Sequence, residues 1–186
     1  FGVRITDTDR SGYLQNENFQ VLTGNTSRVS LFDPAMRKSG YSPTQNYVEQ
    51  MMSYYWLTRA TAYLKNRLGE LPSLKKNLKV VVGAPLTGWS SQANSIHLSQ
   101  NTHAGLNAEV LLSLWGEANV HYASKGAIAD LSGDLNHVAC LNDLKGCCAT
   151  KNGCSKAILS GAGDYFALMV FADQPRMGEG LANSTS

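Results

Sequence analysis

No apolar run in this 186-residue sequence approaches the roughly 20 residues a membrane-spanning helix needs. Charge is scarce, at 16% of residues, and nearly balanced, with 16 basic against 14 acidic side chains and a net charge of +2. So small an excess gives no footing for nucleic acid or an anionic membrane as partner, and neither is expected. The sequence holds no G-x-x-x-x-G-K-[ST] loop and no dinucleotide fingerprint, so nucleotide binding has no warrant. It also lacks a G-x-S-x-G elbow, which removes the commonest signature of a serine hydrolase. The chain starts at Phe1, not methionine, and is expected to be a mature or excised segment.

Cysteine is absent from the first three-quarters of the chain and then crowded into one stretch: Cys140, Cys147, Cys148 and Cys154. A bond between adjacent Cys147 and Cys148 would strain the intervening peptide, so Cys140 is expected to pair with one of them and Cys154 with the other. A structural zinc site would more usually show paired C-x₂₋₄-C knuckles, and free thiols are the remaining alternative. Two disulfides imply an oxidising, extracytoplasmic setting: periplasm, cell surface or secretion.

What is present has the makings of one globular domain. Hydrophobic residues make up 43% of the chain, and a chain of this length buries about two-thirds of its unfolded surface, enough to fold without a metal or disulfide. Near the N-terminus, Asp7, Asp9, Ser11 and Gly12 match the first half of a calcium loop, but its twelfth position is Asn18 instead of glutamate. The plainer reading is a polar turn between strands at Gly2–Ile5 and Phe19–Leu22. Ser42-Pro43 has the form of a helix start, and a helical period of Val48, Met51, Met52, Tyr55, Ala60, Tyr63 and Leu64, read as core packing, runs to about Leu68, where Gly69 stops it. Leu78–Val82 reads as a strand, Pro85 to Ser91 as a loop, and Ser95–Ser99 as an alternating, half-buried edge strand. Helices are expected over about 107–124 and 155–171.

In the first of these two helices Val110, Leu114, Ala118 and Tyr122 share one face, which is expected to pack inward, and Ser113 and Glu117 share a neighbouring one. Ser113-Leu114-Trp115-Gly116-Glu117-Ala118 aligns without a gap with H-E-Y-G-H-A, the zinc-binding stretch in which two histidines four apart hold the metal and a glutamate serves as base. Further on, Ser160-Gly161-Ala162-Gly163-Asp164-Tyr165 matches E-G-x-x-D-Y, whose glutamate is the third ligand. Upstream, Met52-Ser53-Tyr54-Tyr55-Trp56-Leu57-Thr58-Arg59-Ala60, with Tyr63-Leu64, is similar to A-Y-Y-H-x-x-R-A…Y-L of bacterial fungalysin-type domains. Together these segments resemble the gluzincin (thermolysin- and fungalysin-like) metallopeptidases.

The resemblance implies an α+β fold, a small mixed sheet packed on long helices, over residues 41–175, with a β/turn segment at 1–40 and a tail at 176–186. In that family the Ser95–Ser99 region forms one wall of the substrate cleft. The positions of the ligands and base are taken here by Ser113, Leu114, Glu117 and Ser160, and Asp164 stands where the family has a carboxylate orienting a ligand histidine. The expectation is a noncatalytic pseudopeptidase without zinc, an exported binding or scaffold domain whose old cleft receives a peptide or protein. The alternative is a hydrolase with unorthodox ligands, Glu117 and His121 completed by His137 or Asp164.

Overall fold

The computed structural model describes residues 5, 8–9, 11–23, 46–69, 77–124 and 151–171. In these the architecture is α+β. Strands β1 (Phe19–Thr23), β2 (Leu78–Ala84), β3 (Gly88–Ser90) and β4 (Ser95–Ser99) form one sheet in the order β1-β2-β4-β3. Helices α1 (Tyr47–Leu68), α2 (Ala108–Ala123) and α3 (Lys151–Val170) accompany it, with a 3₁₀ turn at Ala104–Leu106 before α2. No described helix is long and apolar enough to cross a membrane.

β1 pairs parallel with β2, and β2 parallel with β4, so Val21, Val80 and Ile96 lie side by side across three strands. β3 runs antiparallel to β4, with Trp89 opposite Ile96. The β2–β4 register slips between Val82 and Ala84, where Gly83 takes a φ of 78° that a side chain would resist. Phe19, Val21, Val80, Val82, Ile96, Leu98 and Trp89 enter a common core with Tyr54, Leu57, Ala60 and Leu64 of α1, Leu111, Leu112, Trp115 and Ala118 of α2, and Ala167 of α3. This apolar burial is the main stabilising term and orients α2 on the sheet.

Four expectations need correction. Ser95–Ser99 is an interior strand, bonded to β2 on one side and β3 on the other, and among the described residues the edge on that side is β3, within the stretch read as a loop. Ser95 and Ser99 are consequently buried, although an alternating pattern would turn them to water. Helix α1 begins at Tyr47, not at Pro43: Asn46 has a left-handed φ of 52°, and no right-handed helix passes through that geometry. Its buried stripe is Gln50, Tyr54, Leu57, Thr61 and Leu64, while Met51, Met52, Tyr55 and Tyr63 are only half-buried. Likewise α2 turns Leu111, Leu112 and Trp115 inward with Ala118, leaving Val110, Leu114 and Tyr122 at the flank. The C-terminal stop of α1 is as expected, Gly69 having φ 76° and returning its N–H to the Lys65 carbonyl.

At the N-terminus Ser11 N–H donates to Asp9 Oδ1 at 2.9 Å, Gln15 Nε2 donates to Asp9 Oδ2 at 2.6 Å, and Tyr13 N–H donates to Ser11 Oγ at 3.3 Å. Both Asp9 oxygens thus serve a side-chain-braced turn around Gly12, which has φ 82°. Asn18, the residue at the twelfth loop position, is buried and donates its backbone N–H to Asn16 Oδ1. Asp7 lies outside the described residues, as do Cys140, Cys147, Cys148 and His137. Ile5 lies outside any strand, and the rest of the strand expected at Gly2–Ile5 is also outside them.

Candidate functional site

Helix α2 starts at Asn107, whose side-chain oxygen accepts from the N–H groups of Glu109 and Val110 at 3.0 and 3.2 Å. From that cap the helix carries Ser113, Gly116 and Glu117 onto the face that meets α3. Gly116 and Gly163 make the contact possible. A Cβ on Gly116 would stand 2.8 Å from Gly163 Cα, and one on Gly163 would overlap the Ser113 carbonyl oxygen. The two backbones touch with no side chain between them.

On either side of that glycine contact lies a serine–carboxylate pair. Ser113 Oγ donates to Asp164 Oδ1 at 2.8 Å, and Ser160 Oγ donates to Glu117 Oε1 at 2.9 Å. Since Ser113 faces Asp164 while Glu117 faces Ser160, the helices run antiparallel here. The two pairs differ in setting: Glu117 is 4% exposed, whereas the Ser113–Asp164 pair lies at the surface. A hydrogen bond to a buried carboxylate of this kind contributes about 1.5–3 kcal/mol. Leu114 is half-buried and packs against the core beside them.

The four polar positions singled out in the sequence are therefore brought together. Zinc does not fit them. The set offers two hydroxyls and two carboxylates, no imidazole and no thiolate, and each hydroxyl is already spent on a carboxylate. His121, one turn beyond Glu117, packs edge-on against Trp89 and Tyr122 at ring distances of 5.1 and 5.4 Å. Among the described residues no group of three or more His, Cys, Asp or Glu is placed to hold a metal ion.

Beside α2 runs β3, the short edge strand. Tyr122 Oη donates to Asn94 Oδ1 in the β3–β4 turn, and Trp89 stacks edge-on against His121, so the C-terminal half of α2 is tied to this edge. Leu86, just before β3, is exposed. On β4, His97 Nε2 lies 2.9 Å from Ser95 Oγ, and burial lowers its pKa below the ordinary imidazole value of 6.5.

One polar contact had no forewarning in the sequence. Glu49, in the first turn of α1, has a side chain only 2% exposed, and its Oε1 lies 2.9 Å from His103 Nδ1. Glu49 Oε2 has no hydrogen-bond partner among the described residues, and Gly105 lies so close that a Cβ there would come within 2.7 Å of it. His103 precedes the 3₁₀ turn, so this contact fixes the approach to α2. An acidic residue early in a helix ordinarily signals only a favourable dipole term, and nothing marks this one as buried. No protein-family model, curated protein or solved structure matches this chain.

Proposed function

We propose that the chain is a degenerate gluzincin-like domain, a noncatalytic pseudopeptidase that binds a peptide along the edge strand instead of cleaving it. What supports the reading above all is the pairing of Ser113 with Asp164 and of Glu117 with Ser160. Two sequence segments that separately resemble the metal-binding segments of one family lie against each other in space, at the motif-bearing positions. Each serine hydroxyl at these positions is bonded to a carboxylate, and Leu114 at the position of the base is a side chain that cannot transfer a proton.

The retained part would be the groove wall. β3 is an edge strand, with Leu86 exposed at its entry, and an extended peptide adds to such an edge through main-chain hydrogen bonds. The extracytoplasmic setting belongs to the same proposal and rests on the four cysteines. The test is elemental analysis of dialysed protein together with a peptide-library digest. Zinc well below one equivalent and no cleavage are expected. About one zinc per chain, lost in a Glu117→Ala or His121→Ala variant, would overturn the proposal in favour of the unorthodox hydrolase.

A further inference from the structure

The outer side of α1 carries a second pattern, unrelated to the paired helices. Tyr55, Arg59, Tyr63 and Arg67 follow one another at intervals of four, which makes them a single ridge of the helix surface. Arg59 lies over the rings of Tyr55 and Trp56, its Cζ 5.8 and 5.5 Å from their centroids, and its Nη1 donates to Tyr55 Oη at 3.0 Å. Arg67 lies over Tyr63 at 5.7 Å. Trp56 is itself braced by Tyr55 at 5.3 Å and by Phe171, just past the end of α3, at 4.8 Å. Each guanidinium is therefore held against aromatic rings of its own helix.

Both arginines are exposed, and neither forms an ion pair with a described residue. Lys65 on the same helix differs: its Nζ meets Glu17 at 3.2 Å. The only acidic residue of α1 is Glu49, buried in its first turn and facing His103. Arg59 spends one N–H on Tyr55 Oη, and the remaining guanidinium N–H groups of the two arginines offer the planar fork that a carboxylate matches with two parallel bonds. Side-chain freedom that a partner would otherwise have to freeze is already restricted.

We infer that this ridge docks an acidic peptide segment of a protein partner, with carboxylates spaced to meet Arg59 and Arg67, about 12 Å apart along the helix. A single-stranded nucleic acid fits less well. It would need open aromatic faces for base stacking, and Tyr55, Trp56 and Tyr63 are half-buried, each with a guanidinium beside its ring. The net charge of +2 also supplies little attraction for a phosphate backbone.

The experiment is fluorescence anisotropy on the full chain with a labelled helical peptide bearing glutamates at eight-residue spacing, its all-glutamine analogue, and labelled oligothymidylate, at near-physiological salt. The glutamate peptide should bind at least tenfold more tightly than the other two probes, about 1.4 kcal/mol. An R59Q/R67Q double variant, its melting temperature recorded to show that it is folded, should lose at least tenfold. R59K/R67K, which keeps the charge but not the planar fork, should fall between. No binding of the glutamate peptide, equal binding by the double glutamine variant, or oligothymidylate binding as tightly as the peptide would overturn the inference.

Discussion

Glu117 and Ser160 meet across the α2–α3 interface, 2.9 Å from hydroxyl to carboxylate, with Glu117 almost wholly removed from solvent. Removing the donor by Ser160→Ala leaves a buried carboxylate oxygen short of this bond and should destabilise the fold by about 1–3 kcal/mol. Glu117→Gln should cost less, because an amide oxygen still accepts from Ser160. The double variant should cost less than the sum of the two single ones, since both act on one contact. Urea denaturation of the four proteins checks this. Full additivity would show that the hydroxyl and carboxylate do not depend on each other.

Gly161 and Gly163 sit on the same helix two residues apart and should respond oppositely to alanine. At Gly163 the added methyl would overlap the Ser113 carbonyl oxygen, whereas at Gly161 it meets nothing within 4 Å. Gly163→Ala must push α2 and α3 apart, and overpacking of this kind costs about 1–3 kcal/mol or more. Gly161→Ala should stabilise by about 0.5–1 kcal/mol through helix propensity alone. Thermal melts of the two variants test the pair. A neutral Gly163→Ala would mean that the helices are not in backbone contact.

His97 predicts a pH dependence with a definite sign. Burial holds its folded-state pKa below the ordinary 6.5, so the unfolded chain takes up the proton first as pH falls. The contribution of this group to stability is complete above the unfolded value and is lost as pH drops through 6.5 towards the folded pKa. Between about pH 7.5 and about pH 5.5 the melting temperature of the parent should fall more steeply than that of a His97→Gln variant, in which the group cannot titrate. Parallel curves would remove His97 as a cause.

The two paired helices were legible because their signals are local. Helical spacing alone put Ser113 and Glu117 on one face, and the motif resemblance pointed to Ser160 and Asp164 as their counterparts. β3 was not legible: its three residues, Gly88, Trp89 and Ser90, sit among turn formers, and only pairing with β4 makes them a strand. The inward faces of α1 and α2 were misjudged for a related reason. Periodicity gives the existence of an apolar stripe, but where several stripes are semi-apolar the packing partner chooses. In α2 it chose Leu111 and Trp115 over Val110 and Leu114. The buried Glu49–His103 contact joins residues far apart in sequence and leaves no local trace.

The closed serine–carboxylate pairs and half-buried Leu114 also predict how an attempt to restore chemistry would end. S113H/E117H/S160E rebuilds three ligand types, and adding L114E supplies a base. The triple variant replaces polar side chains already lodged between α2 and α3 and should remain folded, taking up zinc without cleaving peptides. The quadruple variant also sets a carboxylate at Leu114, a side chain packed against the core. Without metal or hydrogen-bond donors there, that change costs on the order of 2 kcal/mol, a large share of the 5–15 kcal/mol typical of a domain. Metal-free melting temperatures should therefore rank parent, then triple, then quadruple, and zinc should raise both variants by mass action. The check is a melt of each protein with and without zinc, beside a peptide digest. A quadruple variant as stable as the parent without metal, and proteolytic with it, would mean that residue 114 faces an open wet cleft, and the packing account of lost catalysis would fail.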